Sequence, residues 1–326
     1  MSELKTNVIS KQDVKLLALD FLDVVQQAAI AAFPWKGKGN KIQADDAGTE
    51  AMRNRLNLIN MRASIVIGEG EMDEAPMLYI GEKLGTGLGP EIDIAVDPVD
   101  GTTALSKGKN NSIAVIAAAI GGSLLHAPDM YMKKLAVGPK AKGAINIEAS
   151  LTENMYSVAR ALGKDVKELT VIIQDRPRHE HFIKEVLDLG ASVKLFTDGD
   201  ITSAITTAIE GIDVDILVGT GGAPEGVITA TALKCLGGDF QGKLAPQNQA
   251  EIDRCIKMGL PDPEKVLTLD EIVKSDQCLF VATAISDEHI LKGVRKQENG
   301  LIRTQSFLAT GENNNKLQFI ESYHKE

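Results

Sequence analysis

Two carboxylates stand where a predicted strand ends. Residues 92–96 alternate apolar with polar or small side chains, the period-two pattern of a strand, and Pro98 follows. Because proline cannot donate to a ladder, we predict that pairing stops there, leaving Asp97 and Asp100 at the strand end and the threonines at 102 and 103 to cap the next segment. Carboxylates beside hydroxyls and free backbone N–H groups suit a hard cation held together with a phosphate. Taken alone, the same residues are more typical of an ordinary turn.

A second acidic segment follows another predicted strand, residues 64–67. Glu69, Glu71 and Asp73 come directly after it, and two glycines among them let the backbone turn sharply. Simple turns favour Asn, Asp or Ser, so glutamates at this density indicate either metal ligands or a general base. A helix is predicted to begin at Pro76, since proline is tolerated in a first turn.

Other charged residues lie near a predicted helix start. Asp45 and Asp46 are predicted to open a helix, where acidic side chains are ordinarily favourable partners of the helix dipole. The predicted loop before them, residues 35–43, carries three lysines and two glycines. Such a loop is usually a solvated linker, and the functional alternative is a mobile arm that carries ammonium groups to an anion.

The bulk composition is that of an ordinary globular protein that is acidic overall. The 326 residues are 44% hydrophobic and 25% charged, with a formal net charge of -10. This charge argues against a nucleic-acid or anionic-membrane partner. An acidic protein that handles an anionic substrate therefore needs metal ions or a local basic cluster.

Cysteine usage and hydropathy predict a cytoplasmic protein. Cys235, Cys255 and Cys278 are widely spaced and form no C-x-x-C pair, which indicates reduced thiols rather than disulfides or a zinc site. Residues 1–9 lack the profile of a signal peptide. We expect no membrane span, because the apolar run nearest to one, Ile113–Ile120, is only as long as a strand.

The second half of the chain alternates predicted strands and helices. This alternation is typical of parallel βαβ units, in which ligands bind beyond the carboxyl ends of the strands. The predicted elements are helix 153–162, strand 170–173, helix 179–189, strand 192–196, helix 201–210, strand 214–218 and helix 224–236. Beyond them the sequence predicts helices at 249–258 and near 270–273, strands at 278–284 and 301–308, and a frayed polar tail.

Three of these strand ends carry residues suited to binding. Segment 174–178 contains Arg176 and Arg178, which suit bidentate phosphate binding. Segment 197–200 places two aspartates near a helix N-terminus, and the glycine-rich segment 219–226 predicts an anion-binding nest that also holds Glu225. Each segment alone has a structural interpretation, whereas three at equivalent positions predict a substrate pocket.

The acidic segments together form an all-oxygen ligand set. Because histidine and cysteine are missing from it, Mg²⁺ or Mn²⁺ is favoured over Zn²⁺, and two or three ions would relieve repulsion among the carboxylates. A metal that lowers the pKa of bound water towards about 7 favours phosphate-ester hydrolysis, and the absence of a G-x-x-x-x-G-K-[ST] loop argues against a P-loop kinase. The proposed metal ligands are Asp45, Glu69, Asp97, Asp100 and Glu225.

These motifs make the chain resemble the class II fructose-1,6-bisphosphatases, within the lithium-sensitive inositol-monophosphatase-like phosphatase superfamily. The superfamily signature D-P-[IV]-[DE]-G-T occurs at residues 97–102, and the resemblance extends from about residue 18 to about residue 310. The motifs typical of class II are G-E-G-E at 68–71, A-P-D-M-Y-M at 127–132, R-P-R at 176–178, D-G-D at 198–200 and G-G-A-P-E-G at 221–226.

The resemblance implies a role for each matching position. The same five carboxylates would bind metal, and Asp100, Gly101 and Thr102 would hold the phosphate to be cleaved. Thr102, with Asp73 or Glu71, would orient or deprotonate the attacking water. The sugar and the distal phosphate would be bound by Tyr131, Arg176, Pro177, Arg178, Asp198, Gly199, Asp200 and Gly222. Position 100 is Asp where some class II members have Glu, a difference that concerns one metal site.

The implied fold is an α/β five-layer αβαβα sandwich, and the implied protein is a homo-oligomer, either a dimer or a tetramer. Residues 1–150 would form a metal- and phosphate-binding α+β half and residues 151–326 an α/β half with substrate-binding strand ends, the active site lying between them. The implied reaction is metal-dependent hydrolysis of the 1-phosphate of fructose 1,6-bisphosphate during gluconeogenesis.

Three alternatives stay open at this point. A close rival also hydrolyses sedoheptulose 1,7-bisphosphate, since a pocket that grips both phosphates can tolerate one extra carbon. A phosphatase of the inositol-monophosphate type would not need both Arg176 and Arg178. A catalytically silent phosphosugar sensor would have no use for the water-activating geometry expected around Thr102.

Overall fold

The computed structural model describes residues 14–70, 77–311 and 316–325. Its strands, in chain order, are β1 (Arg62–Ile67), β2 (Lys83–Leu84), β3 (Glu91–Asp100), β4 (Ile113–Ile120), β5 (Tyr131–Val137), β6 (Thr170–Gln174), β7 (Ser192–Phe196), β8 (Ile216–Gly222), β9 (Asp239–Leu244), β10 (Leu267–Thr268), β11 (Cys278–Ala284), β12 (Arg295–Lys296), β13 (Leu301–Thr310) and β14 (Lys316–Lys325). Its α-helices are α1 (Ala18–Ala32), α2 (Lys41–Leu56), α3 (Thr102–Ser106), α4 (Leu151–Leu162), α5 (Glu180–Asp188), α6 (Asp200–Ile205), α7 (Ala223–Leu236), α8 (Gln249–Lys257) and α9 (Leu269–Ile272).

The strands form two mixed sheets. The first has the order β12-β13-β11-β4-β3-β1-β2, with β14 also paired to β13; within the described residues its pairs are antiparallel except for β1 with β3, which is parallel. The second has the order β10-β9-β5-β8-β6-β7. The expected parallel arrangement is confirmed for β6, β7 and β8, whereas β5 and β9 pair antiparallel.

Three apolar cores hold the five layers of helices and sheets together. One core joins α1 and α2 to the first sheet, a second fills the space between the sheets around α6 to α9, and a third joins the second sheet to α4 and α5. Strand β4 demonstrates the arrangement, because Ile116 points into the first core and Val115 into the second. Both sheets therefore have two apolar faces that helices must cover, and the expected αβαβα architecture is confirmed.

The two sheets do not divide the chain at a single point. Strand β5 belongs to the second sheet, and strands β11 to β14, from the last part of the chain, complete the first sheet. The division into halves near residue 150 stays a prediction.

Helix α1 carries an apolar segment that the sequence analysis overlooked. Val14–Trp35 spans 22 residues, and its most apolar stretch of 18 residues has a mean hydropathy of 1.6, so the segment is long and apolar enough to cross a membrane by length and composition alone. Of its most apolar window, 56% is buried inside the protein, and Phe21, Val24 and Val25 are almost fully buried in the first core. The apolar composition is therefore accounted for by packing beneath the first sheet.

Several element boundaries differ from the sequence predictions. The helix expected from Pro76, itself outside the described residues, is not found over residues 77–84, which form bends, turns and β2. The tail expected to be frayed is β14, which pairs with all ten residues of β13. The helix expected at 201–210 ends at Ile205 in α6, and β8 extends to Gly222 rather than ending at residue 218.

Candidate active site

Helix α2 brings Asp45 to the carboxyl edge of the first sheet. The helix begins at Lys41, and the Asn40 side chain caps it by accepting a 3.2 Å hydrogen bond from the Gln43 backbone N–H. Asp45 therefore lies in the second turn, so the prediction that it opens the helix was wrong, as was the extension of the lysine-rich loop to residue 43. Because Asn40 supplies the cap, Asp45 remains free to point towards the sheet.

The end of β3 is a bulge that presents both predicted aspartates. Pairing with β4 continues past Pro98, with Asp97 opposite Val115 and Asp100 opposite Ile113, so the prediction that the ladder stops at the proline was wrong. Pro98 is tolerated because it falls inside the register shift, where no ladder bond is required. Asp97 Oδ1 accepts a 3.0 Å hydrogen bond from the backbone N–H of Val99, which fixes its carboxylate.

Thr102 does not cap the helix that follows. Gly101, with a φ of 81°, ends the strand, and α3 begins at Thr102 without a side-chain cap. The Thr102 hydroxyl instead donates a 3.0 Å hydrogen bond to the Val99 carbonyl. With its proton used in this way, the Thr102 oxygen keeps its lone pairs available to accept a hydrogen bond or contact a cation.

Glu69 and Glu225 approach the same edge from two other elements. Glu69 follows β1, and its backbone N–H donates 3.0 Å to the Leu78 carbonyl. Glu225 lies in the first turn of α7 beside Gly222, where an added Cβ would fall 1.9 Å from Glu225 Oε2. Gly222 leaves room for this carboxylate, which a Cβ at that position would force to shift.

The glycine-rich segment 219–226 is not an anion-binding nest. Gly219 to Gly222 are extended in β8 and pair with β5, which makes the sequence interpretation of these residues wrong. The Ala223 N–H donates to the Met130 carbonyl, and Pro224 has no N–H. The remaining N-terminal charge of α7 is met by the carboxylate of Glu225 itself, which accepts a hydrogen bond from its own backbone.

These elements enclose one cavity of about 420 Å³. Asp45, Glu69, Asp97 and Glu225 all line it together with Thr102, while Asp100 lies behind them with 8% of its surface exposed. The full lining is Lys41, Ile42, Asp45, Ile67, Gly68, Glu69, Gly70, Ile80, Val96, Asp97, Thr102, Thr103, Asp129, Pro224, Glu225, Ile228 and Arg254. The structure thus brings the predicted metal ligands together, and places Lys41 among them.

The two carboxylates at the β1 and α2 side interact directly. Burial, followed by the charge of Asp45, raises the pKa of Glu69 to about 8. Burial also raises the pKa of Asp45, although a hydrogen bond with Glu69 opposes the shift. A hydrogen bond between two carboxyl groups requires that they share a proton, so these groups cannot both be ionised without a compensating positive charge.

The pKa values of the carboxylates at the strand bulge and on α7 are also raised. Burial, then repulsion from Glu69 and Glu225, raises the pKa of Asp97 well above its usual range. Burial and the charge of Asp97 do the same to the pKa of Asp100. The pKa of Glu225 is raised by burial and then by Asp200.

A divalent cation would supply the positive charge and the oxygen contacts that these carboxylates lack. Among the described residues, Asp100 Oδ2 and Glu225 Oε2 are buried without a hydrogen-bond partner, and a buried carboxylate oxygen left unpaired is costly. In the part of the chain that the structure describes, no three His, Cys, Asp or Glu side chains already converge as ligands around one point. The donor set is nevertheless entirely oxygen, which suits Mg²⁺ or Mn²⁺.

The predicted sugar-binding residues lie at the carboxyl ends of β6, β7 and β8. Arg176 and Asp198 form a 3.4 Å ion pair, and Pro177 begins the short turn that follows β6. Arg178 donates to the Thr220 carbonyl from Nε (3.0 Å) and Nη2 (2.7 Å), and its guanidinium lies 5.1 Å from the centre of the Tyr131 ring. Gly199 caps α6, and Asp200 is the first residue of that helix.

Lys134 connects the two groups of residues and was missed in the sequence. Its ammonium group, buried at 4% exposure, contacts Asp200 Oδ2 at 2.5 Å. Its charge also lowers the pKa values of Asp100 and Glu225, opposing the effect of burial. The sequence signal that could have identified it is its spacing, because Lys134 is two residues from Met132 and so lies on the same buried face of β5.

Two residues that the sequence did not point to also line the cavity, and two predicted site residues lie where the structure gives no description. Asp129 and Arg254 line the cavity, and the charge of Asp129 contributes to the raised pKa of Glu225. Glu71 and Asp73, the candidates for activating water, lie outside the described residues.

Known proteins of one family match the chain almost from end to end. A family model described as bacterial fructose-1,6-bisphosphatase, glpX-encoded, matches residues 15–324. The class 2 fructose-1,6-bisphosphatase of Haemophilus influenzae is 44% identical over 323 residues, 95% of this chain and 96% of the relative. Fructose-1,6-bisphosphatase 1 class 2 of Escherichia coli is 43% identical over 321 residues, covering 94% and 95% of the two chains.

A third relative has a broader name. The Synechocystis protein named D-fructose 1,6-bisphosphatase class 2/sedoheptulose 1,7-bisphosphatase is 42% identical over 332 residues, covering 94% of this chain and 96% of its own. The chain therefore belongs to the family of bacterial, glpX-encoded class 2 fructose-1,6-bisphosphatases.

Proposed function

We propose that this protein hydrolyses the 1-phosphate of fructose 1,6-bisphosphate to give fructose 6-phosphate and phosphate, with two or three Mn²⁺ or Mg²⁺ ions. The observation that supports this most directly is the cavity in which four carboxylates meet Thr102, beside two buried carboxylate oxygens that have no hydrogen-bond partner among the described residues. Asp45, Glu69, Asp97, Asp100 and Glu225 would hold the ions. When bound, such ions neutralise phosphate oxygens and lower the pKa of water.

The phosphate to be cleaved is assigned to the start of α3. Thr102 and Thr103 line the cavity, and the first N–H groups of a helix have no partner within it, so they are available to phosphate oxygens. Gly101 and Asp100 immediately precede these groups on the same bulge. The Thr102 hydroxyl, held by the Val99 carbonyl, would accept a hydrogen bond from the attacking water and aim it at phosphorus.

Removal of the water proton is assigned to the segment that follows β1. Glu71 and Asp73 come two and four residues after the cavity-lining Glu69. Either carboxylate would act as the base if it accepts the proton as the oxygen–phosphorus bond forms.

The sugar and the 6-phosphate are assigned to the edge of the second sheet. Arg176, Arg178 and Tyr131 supply positive charge and an aromatic surface, while Asp200 supplies an acceptor for sugar hydroxyls. Asp198, Gly199, Pro177 and Gly222 complete this set of proposed contacts. Because Tyr131 and Gly222 are directly opposite in the β5–β8 ladder, the distal phosphate would lie close to the α7 carboxylate that holds metal.

A second substrate, sedoheptulose 1,7-bisphosphate, is favoured by one observation. Tyr131 is 44% exposed and Arg178 is also exposed, so the distal phosphate site opens to solvent rather than into a closed wall. An open site accommodates one additional carbon at small cost. The Synechocystis relative carries both activities in its name.

A substrate panel with purified protein tests the proposal. Phosphate release from fructose 1,6-bisphosphate should require Mn²⁺ or Mg²⁺, should cease with chelator, and should exceed release from inositol monophosphate. No release at any metal concentration, combined with tight binding of the bisphosphate, would instead identify a silent sensor. We further propose a gluconeogenic role in the cytoplasm and a homo-oligomeric assembly, which sedimentation would test.

A further inference from the structure

We propose that His179 is a positioning residue for the distal-phosphate site, acting through the backbone that anchors Arg178. The inference rests on the proposed assignment of Arg178 to the distal phosphate. His179 follows Arg178 directly and is only 1% exposed, so the imidazole points into the protein where the guanidinium points out. The buried ring is placed between two strands that have separated.

Strands β6 and β8 pair over only part of their length. Ladder partners are Val171 with Ile216 and Ile172 with Leu217, although β6 continues to Gln174 and β8 to Gly222. Beyond the last pair the imidazole of His179 bridges the gap. Its Nδ1 lies 2.9 Å from the Gln174 carbonyl oxygen, and its Nε2 accepts a 2.8 Å hydrogen bond from the Thr220 N–H.

These two contacts define the state of the ring. Nε2 accepts from a backbone N–H, so Nδ1 must carry the proton and donate it to the Gln174 carbonyl. Both nitrogens are then satisfied, which is the condition for burying a neutral imidazole. Burial, assisted by the positive charge of Arg178, lowers the pKa of His179 and is consistent with this neutral form.

The residues that hold His179 also hold Arg178. Arg178 Nε and Nη2 donate to the Thr220 carbonyl at 3.0 and 2.7 Å, and Nη2 donates to Gln174 Oε1 at 2.9 Å. Thr220 therefore donates to the imidazole and accepts from the guanidinium. If the imidazole contact is removed, β8 loses its bond towards β6 at Thr220 and is held there only by β5, so the Thr220 carbonyl can shift and weaken the anchor of Arg178 beside Tyr131.

The fit around the ring leaves little room for an alternative arrangement. An added Cβ on Gly219 would lie 3.3 Å from His179 Cε1, a tight contact that the ring could relieve only by shifting by a few tenths of an ångström. The cavity left beside the ring, lined in part by Lys134 and Asp200, is only about 10 Å³. The imidazole thus sets the spacing of the β6 and β8 ends, and with it the position of Arg178.

The test compares substrates with and without the distal phosphate. His179→Phe fills the space but removes both ring nitrogens, and should raise the KM for fructose 1,6-bisphosphate about tenfold with little change in kcat. The kcat/KM for fructose 1-phosphate should stay within about twofold of wild type. His179→Gln, which retains an amide acceptor and donor, should restore most of the lost affinity. His181→Phe is the matched control, because His181 is an exposed histidine on the same segment and should have no effect.

A double-mutant cycle decides whether His179 acts through Arg178. In an Arg178→Ala background, His179→Phe should cause no further rise in KM for the bisphosphate. Additive effects, or equal losses with both substrates, would overturn the inference; His179→Leu, which also removes both ring nitrogens, replaces the Phe variant if that variant does not fold. If wild-type protein releases no phosphate at all, the proposed function fails; the same variants are then compared by the Kd for fructose 6-phosphate, where equal affinity in wild type and His179→Phe would overturn the inference.

Discussion

The carboxylate end of the active site, at the first sheet, and its arginine end, at the second sheet, differ in the sign of their charge and in whether the charged groups already have partners. At the first sheet, neighbouring carboxylates raise one another's pKa, and two of their oxygens have no hydrogen-bond partner in the part of the chain that the structure describes. At the second sheet, Arg176 and Arg178 are partly or fully exposed, and each already has a protein partner. The first end is incomplete without a ligand, whereas the second is assembled in advance.

This difference assigns separate tasks to the two ends. An unsatisfied, like-charged cluster gains most from a divalent cation, so metal binding should stabilise the fold as well as support the reaction. A pre-organised cationic surface loses little entropy on binding and mainly determines affinity. Variants of the carboxylate end should therefore change kcat and stability, and variants of the arginine end should change KM.

The largest effect is expected from Asp97→Asn. An amide retains the shape and the bond from Val99 but removes the charge that faces Glu69 and Glu225. Turnover should fall by at least about a thousandfold because the ligand set loses a buried carboxylate. In chelator, the melting temperature should rise, since one like charge has gone. Phosphate-release kinetics and calorimetry measure the two quantities.

Asp93→Asn is the matched control for this variant. Asp93 lies on the same strand and is buried, but its Oδ2 accepts from the Leu124 N–H at the opposite end of β3. Its amide variant should keep normal turnover. Near-normal activity of Asp97→Asn at saturating Mn²⁺ would remove Asp97 from the metal site and with it the contrast between the two ends.

Lys134→Met should have the next largest effect, because Lys134 lies where the two ends meet. Removal of the buried ammonium leaves Asp200, Asp100 and Glu225 without their nearest protein cation. Breaking a buried ion pair in this way costs about 3 to 5 kcal/mol of unfolding free energy, and urea unfolding of the metal-free protein would measure it. Lys133→Met, at the exposed neighbouring position, should cost under about 0.5 kcal/mol. Equal stabilities of the two variants would contradict the role given to Lys134.

The parts of the site predicted from sequence are those that follow from strand periodicity. Asp97 and Glu69 follow alternating or apolar runs, so their placement at one sheet edge required only the chemistry of strand ends. The bulge at Pro98 was not predictable in the same way, because proline is excluded from a ladder only where a bond is required. Lys134 was missed because a lysine within a strand is ordinarily read as solvent-facing.

Other errors came from tertiary context. Residues 219–222 have turn-like composition, but pairing with β5 and the space needed by neighbouring side chains hold them extended. The polar tail reads as unstructured, yet its alternation allows Ile320 to pack against the first core while β13 satisfies its backbone. Local sequence propensity carries no information about either partner, β5 for residues 219–222 or β13 for the tail.

Glu288 provides a buried carboxylate that no metal is expected to relieve. Burial raises its pKa from 4.5 to about 7, and its Oε2 accepts no hydrogen bond from the described residues. Because the folded pKa exceeds the unfolded value, its stabilising contribution is complete below about pH 4.5 and is lost as pH rises through 7. The loss is roughly 3 kcal/mol.

Glu288→Gln should remove that part of the pH dependence of unfolding free energy. The difference between variant and wild type should grow from pH 5 to pH 8 and should be the same with Mn²⁺ or with chelator, unlike the effect of Asp97→Asn. Exposed Glu298→Gln is the control and should change no slope. A Glu288 effect that disappears on adding Mn²⁺ would show that this carboxylate belongs to the metal-binding end.

Arg178→Ala should have the smallest of these effects and should be confined to affinity. The guanidinium is exposed, stacks on Tyr131 and is anchored by Thr220, so its loss removes a charge-assisted contact without leaving a buried charge behind. KM for the bisphosphate should rise by an amount equivalent to about 1.5 to 3 kcal/mol, with kcat nearly constant. Lys194→Ala, a cation on the adjacent strand β7, serves as the control. An unchanged KM would remove Arg178 from the distal-phosphate site, and a large fall in kcat would mean that the two ends are not separable, because binding at the second sheet would then be used to position the bond that breaks at the first.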